Sequence, residues 1–173
     1  MPLQKTRAML VTTSALAAIL ASPTSALAYD THEVGAAAAT VPLVRYYDGL
    51  KHWSTTGQKP NAKYREEGRV PILAAPAAGS RPIYSCMNGA VPRDQFLTAA
   101  SDCGNSANAS GNHVLLKLEG YLYTRPAEGR RPIYRCYVPH VKSHFFSVKS
   151  DCESNPPTSP VNAEYVLGYI PVR

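Results

Sequence analysis

Three segments of this chain alternate between apolar and polar positions, and all three open with the same short motif. The motif is a proline followed by leucine or isoleucine, and it begins residues 42–47, 82–87 and 132–137. The copies start 40 residues apart (42 to 82) and then 50 residues apart (82 to 132). Alternation with a period of two predicts β-strands, and recurrence at this interval predicts three repeats of one structural unit.

One face of each opening strand is apolar in all three copies. It contains the third and fifth positions of the motif, namely Val44 and Tyr46, Tyr84 and Cys86, Tyr134 and Cys136. We therefore expect this face to point toward the core. An Asp-Gly or Asn-Gly pair follows the first two copies, which predicts that the chain turns back in a hairpin.

A second set of segments supplies the returning strands, because it is rich in aromatic and β-branched residues. These segments are residues 51–55, 95–99 and 144–148. One position of their alignment holds Lys51, Gln95 and His144. The same alignment places Trp53 on the face of Leu97 and Phe146, so Trp53 is predicted to be buried in the core.

A third set of segments carries a recurring glycine and covers residues 67–71, 119–123 and 167–171. A glycine at one place in a strand predicts a bulge or a close approach of two backbones. No stretch of useful length has helical periodicity. The pattern predicts an all-β domain, a β-trefoil of three units over residues 41–79, 80–129 and 130–173. A β-sandwich is the competing all-β fold, but it does not require threefold repetition.

The N-terminal region has the pattern of a secretory signal peptide over residues 1–28, with cleavage between Ala28 and Tyr29. Its apolar run is too short to span a membrane. We expect residues 29–40 to be a flexible arm and the mature protein to be secreted, extracellular and monomeric. The 18 basic and 12 acidic residues are scattered along the chain, which argues against nucleic acid as a partner.

Four cysteines in a secreted chain predict two disulfides. Cys86 and Cys136 lie at the same place in their opening strands, and Cys103 and Cys152 each follow Ser-Asp. The first unit lacks both cysteines, which bonds made within each unit would explain. We therefore predict the pairs Cys86–Cys103 and Cys136–Cys152.

The residue patterns of several enzyme classes are missing from the sequence. There is no Gly-x-Ser-x-Gly nucleophile elbow and no phosphate-binding glycine loop. His140 and His144 are four residues apart, but Pro139 argues against the helix that would bring them together on a metal. We expect no catalytic residues, no metal and no cofactor.

The repeated unit resembles a family of secreted bacterial repeats of the form Pro-[Val/Leu]-Tyr-Arg-x-Tyr, Asp-His-Phe-Tyr-Thr and Tyr-Glu-Gly. That family carries only a domain-of-unknown-function label; its repeats occur in threes, form a β-trefoil and are often attached to extracellular hydrolases. The resemblance covers residues 41–173 and implies a lectin-like or adhesive role. The His-Phe-Tyr-Thr segment falls on residues 144–147, while Lys51 and Gln95 replace its histidine in the other units. The Gln-x-Trp motif of ricin-type trefoils is absent.

The function expected from these features is non-enzymatic binding of a glycan or cell-wall polysaccharide, through aromatic and polar residues near the hairpin turns. The expected binding residues are Tyr47, Asp48 and His52 in the first unit and Tyr137, His140 and Phe145 in the third. The second unit offers fewer polar groups and is expected to be the weakest site. The alternative is a protein-binding module, such as a trefoil-type protease inhibitor acting through residues 105–112.

Overall fold

The computed structural model describes residues 38–107, 111–154 and 159–172. The predicted signal peptide, its cleavage site between Ala28 and Tyr29, and all but the last three residues of the predicted arm lie outside these ranges. In the described ranges the chain is all-β, with nine strands in one antiparallel sheet and no helix. These ranges therefore contain no helix that could cross a membrane.

The nine strands repeat a long, short, long order three times. They are β1 Thr40–Tyr47, β2 His52–Thr55, β3 Arg65–Leu73, β4 Ser80–Met87, β5 Gln95–Thr98, β6 Val114–Tyr123, β7 Arg130–Val138, β8 Ser143–Ser147 and β9 Asn162–Pro171.

The strands group into three triplets with the same pairing. In each triplet the first strand pairs with both others: β1 with β2 and β3, β4 with β5 and β6, β7 with β8 and β9. The short strands β2, β5 and β8 contact one another, and so do the long strands β3, β6 and β9. The three sets of strands expected from the sequence pattern are therefore confirmed.

The sheet is open between β9 and β3 in the part of the chain that the structure describes. A single residue pair joins β3 to β6, and another joins β6 to β9. The registers of the three triplets show which residues would form the corresponding pair between β9 and β3. They are Pro171 and Pro71. Proline has no backbone N–H, so neither residue can donate to a ladder at that point.

The centre of the core is built from the second position of the opening motif. The three residues there are fully buried: Leu43, Ile83 and Ile133. This corrects the sequence-based expectation, in which the third and fifth positions of the motif, not the second, faced the core. Cys86 and Cys136, on the predicted core face, are also buried, but they pack in two separate small clusters with their disulfide partners. The disulfides give that face a hydrophobic cover of its own, so both faces of these strands are covered.

The recurring glycine was aligned correctly in only two of the three triplets. Gly120 and Gly168 have φ angles of +153° and +155°, and a Cβ at either would come within 2.7 Å of a neighbouring side chain. The predicted close approach is therefore confirmed at both. In β3 the equivalent residue is Val70, whereas Gly68 is equivalent to Lys117 of β6. β6 and β9 each have a second bulge beside their glycine, and β3 lacks it.

The returning strands also differ from the sequence alignment by one residue in the first triplet. The register places three residues at one position: His52, Gln95 and His144. Lys51 therefore does not replace a histidine, and the prediction of a buried Trp53 is wrong. Ser54, not Trp53, is equivalent to Leu97 and Phe146 and is buried. Trp53 is only partly buried, and its ring lies edge-on to that of Tyr64, with 6.5 Å between the ring centroids.

Both predicted disulfides are confirmed. Cys86 bonds to Cys103 and Cys136 to Cys152, with Cα–Cα distances of 5.9 and 5.7 Å. Each bond joins the first strand of a triplet to the turn that follows its short strand.

Candidate functional site

Aromatic and charged side chains from two triplets form a compact group that we call the His52 cluster. It consists of Arg45 and Tyr47 from β1, His52 from β2, Glu67 from β3 and Phe145 from β8. The His52 ring is stacked between the rings of Tyr47 and Phe145, with centroid distances of 4.6 Å to each. Its Nε2 lies 3.4 Å from Oε2 of Glu67.

A bulge and an ion-pair network hold this cluster together. The register shift between Arg45 and Tyr46 leaves Glu67 without a partner across the ladder, and such a bulge re-aims the side chain. Nε of Arg45 makes an ion-pair contact with Oε2 of Glu67 at 3.0 Å, outside hydrogen-bond angles. The two Nη atoms of Arg45 donate to both carboxylate oxygens of Glu153, at 2.9 and 3.1 Å. Such a two-pronged pair fixes the guanidinium firmly.

The same arrangement recurs at equivalent positions in the third triplet, and we call this copy the His144 cluster. It consists of Arg135, Tyr137, His144, Glu164 and, from the second triplet, Phe96. Tyr137 lies 4.7 Å from His144 between ring centroids, and Nε of Arg135 lies 2.5 Å from Oε2 of Glu164. The Arg135 guanidinium lies 4.5 Å from the Phe96 ring centre, against 5.0 Å between Arg45 and Phe145.

The second triplet does not complete a third copy. Its residues at the same register positions are Ser85, Met87, Gln95, Leu116 and, from the first triplet, Trp53. The arginine, histidine and glutamate are all replaced, so the charged network cannot form there. This agrees with the sequence-based view that the second triplet is the poorest in polar groups.

The two histidines have opposite electrostatic surroundings. Nδ1 of His144 lies 2.9 Å from Asp94, whereas Nδ1 of His52 lies 3.2 Å from the hydroxyl of Ser143. Burial of His144 acts to lower its pKa, but hydrogen bonds with Asp94 and Glu164 outweigh burial and raise it. Burial and the Arg45 guanidinium lower the pKa of His52 to about 4. His52 is therefore neutral at pH 7, and His144 is the histidine that favours its charged form.

A cleft of about 260 Å³ opens beside the His52 cluster. Its walls come from the first and third triplets: Arg45, Tyr47, His52, Glu67, Val138, His140, Val141, Phe145, Cys152, Glu153, Ser159 and Val161. We call it the His52 cleft. Residues from several distant segments meet here, so the cleft depends on the packing of the triplets against one another.

Two substitutions distinguish the surroundings of the two clusters. The residue before β9 is Val161, and the equivalent residue before β6 is His113, whose ring lies edge-on to Phe96 at 5.0 Å. Glu153 follows Cys152, and the equivalent residue after Cys103 is Gly104. Beside the His52 cluster, Val161 is therefore smaller than the equivalent His113, and Glu153 adds a carboxylate that the His144 cluster lacks.

The carboxylates at the His52 cleft are suited to accepting hydrogen bonds. Burial raises the pKa of Glu67, and the Glu153 carboxylate adds to this effect while Arg45 opposes it. Hydrogen bonds from Arg45, and a further one from Ser147, lower the pKa of Glu153. Two carboxylates thus share the Arg45 guanidinium at the cleft.

Ser143, His52 and Glu67 follow the order of groups in a hydrolytic triad. Ser143 is only 1% exposed, however, and its hydroxyl oxygen accepts the backbone N–H of His52 at 2.9 Å. A substrate has no access to that hydroxyl in this arrangement. Ser143 and Glu67 instead contact the two nitrogens of the His52 imidazole and hold its orientation.

Four of the six binding residues expected from the sequence line the His52 cleft: Tyr47, His52, His140 and Phe145. Asp48 and Tyr137 do not. Asp48 is not a free acceptor, since its Oδ1 accepts the backbone N–H groups of Leu50 and Lys51 and its Oδ2 accepts from Arg93. Tyr137 belongs to the His144 cluster, so the structure separates it from His140.

Sequence reasoning missed three charged residues of the cleft, Arg45, Glu67 and Glu153. Arg45 and Arg135 occupy the same position of the repeated motif, which is a signal that could have found the first of them. Glu67 and Glu164 are equivalent only through their bulges, so an alignment without gaps hides this relation. Glu153 has no counterpart in the repeats and could be found only from the folded chain.

The depressed pKa of His52 leads to a testable pH dependence. In the unfolded chain a histidine has a pKa of about 6.5. Between pH 6.5 and 4 the residue is therefore protonated in the unfolded state but still neutral in the folded state, which favours unfolding. Stability is therefore expected to fall as the pH decreases from 6.5 to 4, by about 3 kcal/mol from this residue. The variant His52→Gln carries the residue found at the equivalent position 95. Its stability should decrease less than that of the wild type between pH 6.5 and 4. Urea unfolding at pH 7.5 to 4 measures this, and identical pH profiles would contradict it.

The described residues include no group of three or more His, Cys, Asp or Glu placed to hold a metal ion. The candidate inhibitor loop, residues 105–112, includes residues 108–110, which lie outside the described ranges. At its start, the Asn105 side chain exchanges hydrogen bonds of 2.9 and 2.8 Å with the backbone of His113.

Neither the curated proteins nor the solved structures include a match to this chain. A family model described as a domain of unknown function, DUF5648, matches residues 56–170. That match covers more than half of the chain, including strands β3 to β8. It also includes Phe96 and Phe145, the phenylalanines that contact the histidines of the two clusters. The chain therefore belongs to the DUF5648 family.

Proposed function

We propose that this domain is a β-trefoil that acts as a secreted, non-enzymatic binding module and holds a carbohydrate unit in the His52 cleft. The trefoil assignment is supported by three strand triplets with matching pairing and by the contacts within each set of equivalent strands. Extracellular location is supported by the two disulfides, which persist in oxidising compartments, and by the N-terminal sequence pattern.

One observation carries the binding proposal: the same five-residue cluster is built twice, and the two copies differ at their surface. The His144 cluster has His113 against its phenylalanine and Gly104 where the other has a carboxylate. The His52 cluster has Val161 and Glu153 at these places and borders the cleft. A cluster needed only for folding does not require this second carboxylate at an opening.

The chemistry of the cleft fits a sugar ring. Carbohydrates are held by aromatic surfaces together with a few oriented polar groups, which Tyr47 and the carboxylates of Glu67 and Glu153 provide. Sugar hydroxyls are donors, and the carboxylates are acceptors. The excess of carboxylate over guanidinium favours neutral or amine-bearing sugars over acidic ones. The volume of about 260 Å³ suits a single sugar unit better than a long buried chain.

A glycan array followed by titration calorimetry tests this proposal with matched variants. Tyr47→Ala is expected to weaken binding of a neutral glycan by roughly tenfold, because an aromatic contact contributes about 1–1.5 kcal/mol. Glu67→Gln should weaken it as well, by removing a charged acceptor. The controls are Tyr137→Ala and Glu164→Gln, the same changes in the His144 cluster, which should leave affinity unchanged.

Thermal melting confirms that each variant is folded before its affinity is compared. Equal affinity losses in the two clusters would contradict the assignment of the ligand to the His52 cleft. Absence of any glycan hit, together with retention of a protein ligand that Tyr47→Ala does not affect, would favour the protein-binding alternative.

A further inference from the structure

A second cleft, of about 590 Å³, lies where the sheet is open between β9 and β3, and we call it the β9–β3 cleft. Valine and proline form most of its walls: Val41, Pro42, Val70, Pro71, Pro171 and Val172. The other lining residues are Thr40, Arg69 and Arg131, so no described residue of the lining is acidic or aromatic. The volume is within the range of small-molecule sites, about 300–1,000 Å³.

Small residues at this interface explain why a cleft forms there. At the β6–β9 interface Tyr123 pairs with Tyr169, and the guanidinium of Arg130 lies 3.4 Å from the centre of the Tyr123 ring. The registers give the equivalent residues between β9 and β3, which are Pro171, Pro71 and Thr40. Each is smaller than its counterpart, so these side chains fill less of the space between the two strands.

The guanidinium of Arg131 lacks the partner that its equivalent has. In the second triplet the equivalent residue is Arg81, which donates from one Nη to the carbonyl oxygen of Leu167 at 2.6 Å. Leu167 occupies the second bulge of β9, and β3 has no such bulge. In the part of the chain that the structure describes, the guanidinium of Arg131 makes no hydrogen bond or ion pair. A charged donor beside an apolar cleft therefore remains available to a ligand.

The charge of the lining favours one anionic group. Arg69 donates to both carboxylate oxygens of Glu66, at 2.7 and 2.6 Å, so its charge is balanced. Arg131 also borders a smaller cleft of about 170 Å³ that includes Glu67 and Glu153. Those carboxylates take part in the ion pairs of the His52 cluster, and neither pairs with Arg131. Among the residues that line the β9–β3 cleft, Arg131 thus carries the positive charge that a ligand can balance.

We propose that the β9–β3 cleft binds a small carboxylic acid with an aliphatic body, such as a short fatty acid, in its anionic form. The planar guanidinium of Arg131 can donate two parallel hydrogen bonds to a carboxylate. Valine and proline walls suit an aliphatic chain, because each methylene that leaves water favours binding. A sugar fits less well, since the lining offers a single hydroxyl side chain and no aromatic ring. The cleft shares no lining residue with the His52 cleft.

Titration calorimetry of residues 29–173 with octanoate, in about 0.15 M salt, tests the proposal. The wild type is expected to bind octanoate at least tenfold more tightly than 1-octanol, which lacks the charge, and than acetate, which lacks the chain. Arg131→Gln should weaken octanoate binding at least tenfold and leave 1-octanol binding unchanged. The control is Arg125→Gln, which removes the same charge from an exposed residue between β6 and β7 and should bind octanoate like the wild type.

A second variant fills the cleft. Pro71→Tyr introduces the residue found at both equivalent positions, Tyr121 and Tyr169, so it should fold, which thermal melting checks. It is expected to weaken the binding of octanoate and of 1-octanol, each at least tenfold. A wild type that does not bind octanoate at about 10 mM, or an Arg131→Gln variant with wild-type affinity, would overturn the proposal. A folded Pro71→Tyr variant with unchanged octanoate affinity, or a wild type that binds acetate as tightly as octanoate, would overturn it too.

Discussion

Asp94→Ala is expected to destabilise the domain by about 3–5 kcal/mol, since it leaves one member of a buried ion pair without its partner. The Asp94 carboxylate is fully buried and accepts from the backbone N–H and Nδ1 of His144, and from the side chain of Asn88. Urea unfolding at pH 7 measures the loss. Glu128→Ala, which removes an exposed carboxylate, should change stability by no more than about 0.5 kcal/mol.

The same variant should alter the pH dependence of stability. The folded-state pKa of His144 is raised, so its contribution is complete below about pH 6.5 and is lost as the pH rises through the raised value. The pKa of Asp94 is lowered, because hydrogen bonds from His144 outweigh burial, so its contribution is lost only on strong acidification. Asp94→Ala should therefore reduce the decline of stability above neutral pH. A decline as steep as that of the wild type would exclude this pair as its cause.

Reduction of both disulfides is expected to lower the melting temperature strongly. The bonds close loops of 17 and 16 residues, and each contributes about 3 kcal/mol in the chain-entropy description. Their sum of about 6 kcal/mol is a large part of a typical domain stability of about 5–15 kcal/mol. Calorimetry of the oxidised and reduced chain measures the difference.

The double variant Cys136→Ala/Cys152→Ala separates the two bonds and should have an intermediate melting temperature. Peptide mapping without reductant should give only the two pairs within triplets. A melting temperature that reduction leaves unchanged would show that the bonds do not constrain the unfolded chain as expected.

The His52 and His144 clusters are equivalent in position but differ in charge. Both clusters join neighbouring triplets, because the phenylalanine of each belongs to a different triplet from its arginine and histidine. Asp94 makes the His144 copy a buried ion pair, whereas His52 has the hydroxyl of Ser143 at that place and is kept neutral by burial and the Arg45 guanidinium. The changes that distinguish the His52 cluster are thus few, and each alters charge or size at one position.

Much of the fold follows from local sequence patterns. Period-two alternation located the strands, repetition grouped them into triplets, and the shared absence of two cysteines from the first triplet identified both disulfide pairs. The candidate site was found in part, since Tyr47, His52, His140 and Phe145 stand at or near hairpin turns. These features succeed because each depends on neighbours in sequence or on comparison of equivalent segments.

The tertiary structure alone decided the registers and the membership of the clusters. A short strand such as β2 allows a shift of one residue without losing its alternation, so Trp53 and Ser54 could exchange roles in the sequence alignment. The register makes Gly68 equivalent to Lys117 rather than to Gly120, and the bulge in β3 brings Glu67 to Arg45. The contact of His52 with Phe145, 93 residues later (52 to 145), and the opposite pKa shifts of the two histidines depend on burial and on groups from distant segments, which no local pattern encodes.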